Sequence, residues 1–321
     1  MKKHRRIARR KSLWLSLFLM AAVVAGGAVW ALQASGPNPR ADFWGQVREG
    51  AAGYTSVVSD AHRTLIHNGG QNWRELRNGV VASVSPWILT CVLSALLLFF
   101  IIVGKDKLEV PRSGIRIERF SLPERVLHWY TAVLFIVLAI TGLSNLFGRA
   151  VLIPVFGHAP FASYMQWALW AHNVSGPLFL VGLAIEFIMW VKDNVPERMD
   201  IVWFKNMGGM VGKGPRPHAG KINGGEKAWF WVMVASGIAV GVTGVILDFP
   251  IWGQGRATMQ VAQVIHASVG ILFVAASFGH IYIGTIGAEG TFEGMWRGSV
   301  DSVWAKQHGD LWYERKMTPR S

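Results

Sequence analysis

The stretch VIHASVGILFVAASFGHIYIG, residues 264–284, decides the fold. It carries no charged residue and lies inside a longer uncharged run, 257–288. About 20 apolar residues cross the hydrocarbon core of a bilayer, so this run predicts a membrane-spanning helix. Two histidines interrupt it, His266 and His280. Ionisable groups at membrane depth are costly and mark functional positions. At about 100° and about 1.5 Å per residue, the two are about 40° apart around the helix and about 21 Å apart along it. One helix therefore offers two imidazoles on nearly one face, one toward each membrane surface. Each is followed four residues later by glycine, Gly270 and Gly284, and positions i and i+4 share a helix face.

Working outward, five further windows have the length and apolarity of spanning helices. They are Leu13–Leu32, Val80–Gly104 (most apolar over Trp87–Val103), Val126–Gly148 with His128, Phe161–Val191 with His172 and Glu186, and Ala228–Leu247. His128 begins its window, at the depth of His280. His172 lies in the outward part of its window, at the depth of His266. Gly176 follows His172 by four residues, and Ala132 stands in the corresponding place after His128. Two imidazoles facing each other across a bundle ligate one iron from both sides, and small residues beside them leave room for a flat porphyrin. The pattern predicts two stacked b-type haems, one held by His172 and His266, the other by His128 and His280.

Composition agrees with a membrane chain. Of 321 residues, 51% are hydrophobic and 16% charged, with a mean hydropathy of +0.31; a soluble chain carries about 25% charge. The net charge is nevertheless +13. This excludes a disordered tail and argues against a nucleic-acid partner. Lys and Arg concentrate in 1–12, 104–125, 192–227 and 289–321, which hold 25 of them, against 7 in 33–86, 149–160 and 248–256. Cytoplasmic loops carry such an excess. The predicted topology therefore starts and ends in the cytoplasm, with a basic collar open to anionic lipids.

The single cysteine, Cys91, excludes a CxxCH haem attachment, a CxxC zinc site and a four-cysteine iron–sulfur cluster within the chain; it reads as a small core residue. The glycine-rich stretch 208–227 lacks a preceding strand and a Ser or Thr after its Gly-Lys pair, so it is no phosphate loop. His4, His62, His67, His158, His218 and His308 are expected to be solvated in loops and tails. Glu186, 14 residues after His172, is expected to reach toward the cytoplasmic surface. Pro177 is expected to kink its helix. No internal repeat is evident.

The expected organisation is a signal peptide or retained anchor at 1–34, a periplasmic segment at 35–86 and an additional transmembrane helix at 87–104. A four-helix dihaem domain at 115–288 and a cytoplasmic tail at 289–321 follow. The fold class is an all-α integral membrane protein: a transmembrane four-helix dihaem cytochrome b bundle plus one extra N-terminal helix and the export segment.

The stretches ERVLHW (124–129), AHNVSG (171–176), INGGEKAWFW (222–231), VIHASVG (264–270), GHIYIG (279–284) and VWAKQHGDLWYE (303–314) resemble, in order and spacing, the cytochrome b-556 gamma subunit of membrane-bound formate dehydrogenase. QNWRELRNG (71–79) and the helix after it resemble an extended version of that subunit. The resemblance implies that His172 and His266 hold the haem near the periplasm and His128 and His280 the haem near the cytoplasm. It implies a quinone site beside the inner haem, at Asn223, Gly225 and Glu226, where the family's usual Asn-Ala-Gly-Gln-Lys reads Asn-Gly-Gly-Glu-Lys. A carboxylate at 226 could relay a proton, whereas Gln could only hydrogen-bond. The implied partners are an iron–sulfur beta subunit, a molybdopterin-type catalytic alpha subunit, and menaquinone or ubiquinone, in a bacterial inner membrane. Formate oxidation would lie on the alpha subunit, with no catalytic residue on this chain. The alternative is the cytochrome b subunit of a membrane-bound nickel–iron hydrogenase or a related quinone-linked oxidoreductase. A transporter and a haem-free anchor are the readings from other classes.

Overall fold

A computed structural model describes residues 68–211 and 216–318. The window Leu13–Leu32 and the histidines His4, His62 and His67 lie outside the described residues.

The chain enters as helix α1 (Asn68–Glu75), passes through a π-helical turn (Leu76–Val81) and continues as α2 (Ala82–Val103). The sequence reading sets the additional transmembrane helix at 87–104. The helix instead runs through Pro86, and hydroxyls of the preceding turn take up carbonyls beside it: Ser83 bonds the Gly79 carbonyl and Ser85 the Val81 carbonyl, each at 2.5 Å.

The central bundle consists of α3 (Leu122–Phe156), α4 (His158–Trp190), α6 (Gly224–Asp248) and α7 (Arg256–Tyr282), with α5 (Arg198–Lys205) between α4 and α6. Helix α3 starts at a capping box, in which the Ser121 amide and hydroxyl both donate to Glu124 Oε2 at 2.7 Å. The stretch 149–160, expected to be a loop, is mostly helical. Helices α3 and α4 extend toward each other and are separated by Gly157, whose φ of +80° favours glycine. Helix α4 is continuous across Pro177.

Helix α3 packs on α4, α4 on α6, α6 on α7, and α2 lies along α7. Glycines sit where the helices approach most closely. A Cβ on Gly182 would run into Tyr130 and Thr131 of α3. One on Gly237 or Gly241 would run into Leu183 or Leu180 of α4. Small residues at such crossings let backbones approach in a medium where the hydrophobic effect does not drive helices together.

Five helical stretches are long and apolar enough to cross a membrane among the described residues: Asn72–Val103, Leu122–Phe156, His158–Trp190, Gly224–Asp248 and Arg256–Gly287. Their large apolar side chains are exposed on the outside of the bundle. Ile101 is 67% exposed and Ile188 74%, which suits lipid as the surrounding solvent. Cys91 is buried, as a small core residue should be.

One end of the bundle carries a polar cap, built from two segments far apart in sequence. Strand β1 (Arg116–Glu118) pairs antiparallel with β2 (Ser299–Asp301), so the chain is not purely helical. Beyond a π-helical turn (Ile283–Gly287) that ends α7 come α8 (Thr291–Arg297), α9 (Ser302–His308) and α10 (Asp310–Met317). Ile117, Val300, Trp304, Ala305 and Trp312 form the core of the cap. The Asp301 carboxylate caps α9 at the Val303 amide (2.9 Å) and accepts from the Gly114 amide (2.9 Å). His308, expected to be solvated, is buried here. Its ring lies 4.8 Å from that of Trp304, and its Nε2 is 4.0 Å from Asp106 Oδ2, which Arg216 already holds. Burial pushes its pKa down to about 4.

Candidate functional site

Three helices bring four histidines into the bundle interior, one from α3, one from α4 and two from α7, where they face each other in two pairs. The ring centres of His172 (α4) and His266 (α7) are 6.0 Å apart. Those of His128 (α3) and His280 (α7) are 6.1 Å apart. Two imidazoles on opposite sides of one metal ion should be separated by about 6.2 Å, from two nitrogen–metal bonds of about 2.0 Å and about 1.1 Å from each nitrogen to its ring centre. Both pairs match that spacing. Among the described residues no group of three or more His, Cys, Asp or Glu gathers that could hold a metal ion. A pair of imidazoles leaves most of a metal's coordination open, and a tetrapyrrole supplies four in-plane nitrogens between two axial ligands. The donor set fits a haem better than a bare ion.

The space between the helices fits as well. A cavity of about 430 Å³ surrounds the His172–His266 pair and is lined by Gly142, Gly176, Gly244 and Gly270. A Cβ on Gly176 or Gly270 would meet nothing within 4 Å, so any larger side chain there would project into open space. Gly142 and Gly244 do something else: a Cβ there would stand 3.4 Å and 3.3 Å from Cε1 of His172 and His266. The glycine of each neighbouring helix forms the floor on which the imidazole lies.

A hydroxyl sits beside each of these floors. Thr141 Oγ1 is 2.8 Å from His172 Nδ1, and Thr243 Oγ1 is 3.1 Å from His266 Nδ1. Each threonine donates its own hydrogen to the carbonyl one turn back, Val137 at 2.7 Å and Ala239 at 2.6 Å. Each must then accept from the imidazole, which places the ring hydrogen on Nδ1 and leaves the Nε2 lone pair free for a metal. The sequence reading found no repeat, yet Thr-Gly recurs at 141–142 on α3 and 243–244 on α6, each serving the histidine of the following helix. The dipeptide was visible, but its meaning depends on which helices become neighbours.

The second pair, nearer the cap, is held differently. The Trp229 indole of α6 stacks on His280 at 4.5 Å with an interplanar angle of 11°. Among the described residues, His128 Nδ1 is buried without a hydrogen-bond partner. Nearby, Glu186 is 2% exposed and bonded to the Thr131 hydroxyl. This corrects the expectation that it reaches the surface. Lying on the His172 face of α4 turns it into the bundle, where α3 supplies a polar partner.

The loop preceding α6 lies on the cap side of Trp229. Asn223 caps the helix, accepting from the Glu226 amide at 3.1 Å, while Glu226 Oε2 accepts from the Asn223 amide at 3.0 Å. Both Glu226 oxygens lie 2.8 Å from Nη2 of Arg119, a side chain only 3% exposed. Arg119 also donates to the Lys221 carbonyl at 2.8 Å, and its guanidinium is 4.6 Å from the Trp304 ring centre. The carboxylate at 226 is thus tied into a cap and an ion pair, rather than free to carry protons. Gly225 lies against the indole of Trp203, which leaves no room for a Cβ. Lys227, 5% exposed, pairs with Glu197 at 2.8 Å and Asp200 at 3.1 Å. Arg119, Trp203, Thr141 and Thr243 were all missed by sequence reasoning, because their partners come from other elements.

Residues 119–298 match the family described as prokaryotic cytochrome b561. The chain belongs to that family. Its cofactor is haem b, which the paired imidazoles of this cytochrome can hold. Relatives include the nitrate-inducible formate dehydrogenase cytochrome b556(Fdn) subunit of Escherichia coli K12, 30% identical over 203 residues, 61% of this chain and 90% of the relative. The formate dehydrogenase cytochrome b556(fdo) subunit of the same strain is 30% identical over 209 residues, 64% and 96%. The formate dehydrogenase cytochrome b556 subunit of Haemophilus influenzae is 27% identical over 223 residues, 66% and 88%. The family match begins after α2, so the N-terminal helix and its π-helical turn lie outside the matched residues.

Proposed function

We propose that this chain is the membrane dihaem cytochrome b subunit of a respiratory formate dehydrogenase. The observation that carries the reading is the two facing imidazole pairs, one near each end of a four-helix bundle, in a cytochrome whose relatives are formate dehydrogenase subunits. Formate is oxidised on a molybdopterin-type alpha subunit, and an iron–sulfur beta subunit delivers the electrons at the outer face. When bound, two b haems supply one-electron carriers between that face and a quinone near the cytoplasmic side.

The chain's own residues do the rest. His172 and His266 would hold the outer haem, His128 and His280 the inner one. Thr141 and Thr243 keep the outer imidazoles in the ligating tautomer. Trp229 fixes the plane of His280 by stacking. Asn223, Gly225 and Glu226 form the quinone-binding turn at the start of α6. There the Gly224 and Gly225 amides, in the first turn, have no intrahelical acceptor and can donate to a quinone carbonyl. Arg119 holds Glu226, and with it the turn, in place. Quinone takes two electrons and two protons, and the protons come from the cytoplasmic side. Negative charge moves inward while protons are consumed inside, which builds a proton-motive force.

The test is to purify the complex through a tag on this chain and add formate. The account expects formate to reduce the b-type absorbance and quinone to reoxidise it. Reduction by hydrogen and not by formate would replace the partner with a nickel–iron hydrogenase.

A further inference from the structure

The cavity around His172 and His266 is almost wholly apolar, yet two charged side chains line it: Arg77 and Asp248. Asp248 ends α6 at the bundle end away from the cap. Arg77 comes from the π-helical turn between α1 and α2, outside the residues of the family match. Its presence there needs an explanation, since a guanidinium beside an apolar cavity in a membrane protein is expensive unless paired. Among the described residues its hydrogen bond is to its neighbour Asn78 Oδ1, at 2.7 Å, and no described carboxylate forms an ion pair with it.

The local structure turns it inward. In the segment 72–80, Trp73 and Arg77 are half-buried and the rest are exposed. These two lie four residues apart, on the face turned toward α7. Trp73 Nε1 is buried without a hydrogen-bond partner among the described residues. A π-helical turn inserts a residue into the helix and often marks a functional position. Here it sets the register that brings Arg77 to the cavity.

We propose that Arg77 binds a propionate of the haem held by His172 and His266, so that the N-terminal helix is part of the cofactor site. This rests on the dihaem reading above. A b haem is an apolar macrocycle with its two carboxylates on one edge. In a cavity whose inner walls are glycine, leucine and phenylalanine, that edge is drawn to the polar mouth. A guanidinium presents a planar fork of donors that matches a carboxylate, and the Trp73 indole adds a donor one turn away. A positive charge at that edge favours the reduced iron, so Arg77 raises the potential of the haem that receives electrons first. Asp248, at the same mouth, acts in the opposite sense.

The test is an optical redox titration of the purified full complex carrying R77Q, R77K or D248N, with H266A used to assign the outer-haem signal. R77Q should move the midpoint of the outer haem to lower potential and leave the inner haem where it was. R77K should restore most of the shift, and D248N should move the same signal upward. Unchanged potentials in R77Q, or a shift in D248N alone, overturn the proposal by placing the propionates elsewhere. Fewer than two b haems in the unsubstituted complex would instead remove the dihaem reading on which it rests.

Discussion

Replacing Thr141 with Val tests the role of the threonines at the outer site. Valine keeps the shape of threonine and removes only the hydroxyl that receives the His172 Nδ1 hydrogen at 2.8 Å. The buried imidazole N–H then loses its hydroxyl partner, at a cost of up to about 1–3 kcal/mol. At about 1.4 kcal/mol per tenfold, this weakens haem affinity roughly 10–100-fold, the range seen when the partner of a metal-ligating histidine is removed. T243V should do the same through His266 and more weakly, because that contact is 3.1 Å. The effect should be confined to one haem, since His128 Nδ1 has no partner among the described residues to lose. The assay is transfer of haem from the purified protein to a scavenging globin, followed optically in T141V, T243V and T141S. The outer haem should leave faster in both valine variants, with serine restoring retention. Equal retention in all variants, or equal loss of both haems, would refute the tautomer argument.

Glycine 270 gives a steric counterpart: G270L points a side chain into open cavity, so the protein should fold, seen as retained helical circular dichroism, with the outer haem signal missing. E226Q separates an anchor from a proton relay. Gln still closes the capping box, so quinone reduction should stay within about threefold, whereas R119A, which removes the buried partner of the turn, should lower it more than tenfold; steady-state quinone reduction reads both. His308 should make the cap acid-labile. Its buried ring has a pKa of about 4, so between about pH 6.5 and 4 the unfolded chain binds a proton that the folded cap does not. Stability then falls with falling pH by on the order of 3 kcal/mol in total, and H308F should abolish that dependence in proteolysis of the C-terminal segment. His218 acts oppositely: its bond to Asp310 raises its pKa, so docking of α10 is at full strength below about pH 6.5 and weakens as pH rises through the raised value. Tryptic cleavage at Arg315 should therefore rise with pH on the alkaline side, and H218A should remove the trend.

The helices and the shared face of His266 and His280 were legible because they depend on local periodicity. Fourteen residues on one helix place His266 and His280 on one face whatever surrounds them. Other features depend on contacts distant in sequence. Strand β1 meets β2 across about 180 residues, and neither has the length or alternation to announce a strand. His308 is buried because Trp304, Asp106 and Arg216 converge on it from three segments. Glu186 lost its expected surface position to a hydroxyl on α3 that no reading of α4 alone could supply. Likewise, Thr141 and Thr243 look like ordinary helix residues until the neighbouring helix brings an imidazole to each. At Glu226 the departure from the family's Gln suggested a proton carrier, and the buried Arg119 gives it a different use.

The central claim is that each facing pair of imidazoles holds one haem. It is tested most directly by counting b haem per chain in the purified protein and in H172A, H266A, H128A and H280A. The account predicts two haems in the unsubstituted chain and one in each variant. H172A and H266A should lose the same spectral component, and H128A and H280A the other. A single haem in the unsubstituted chain, or two haems retained in any of the four variants, would contradict it.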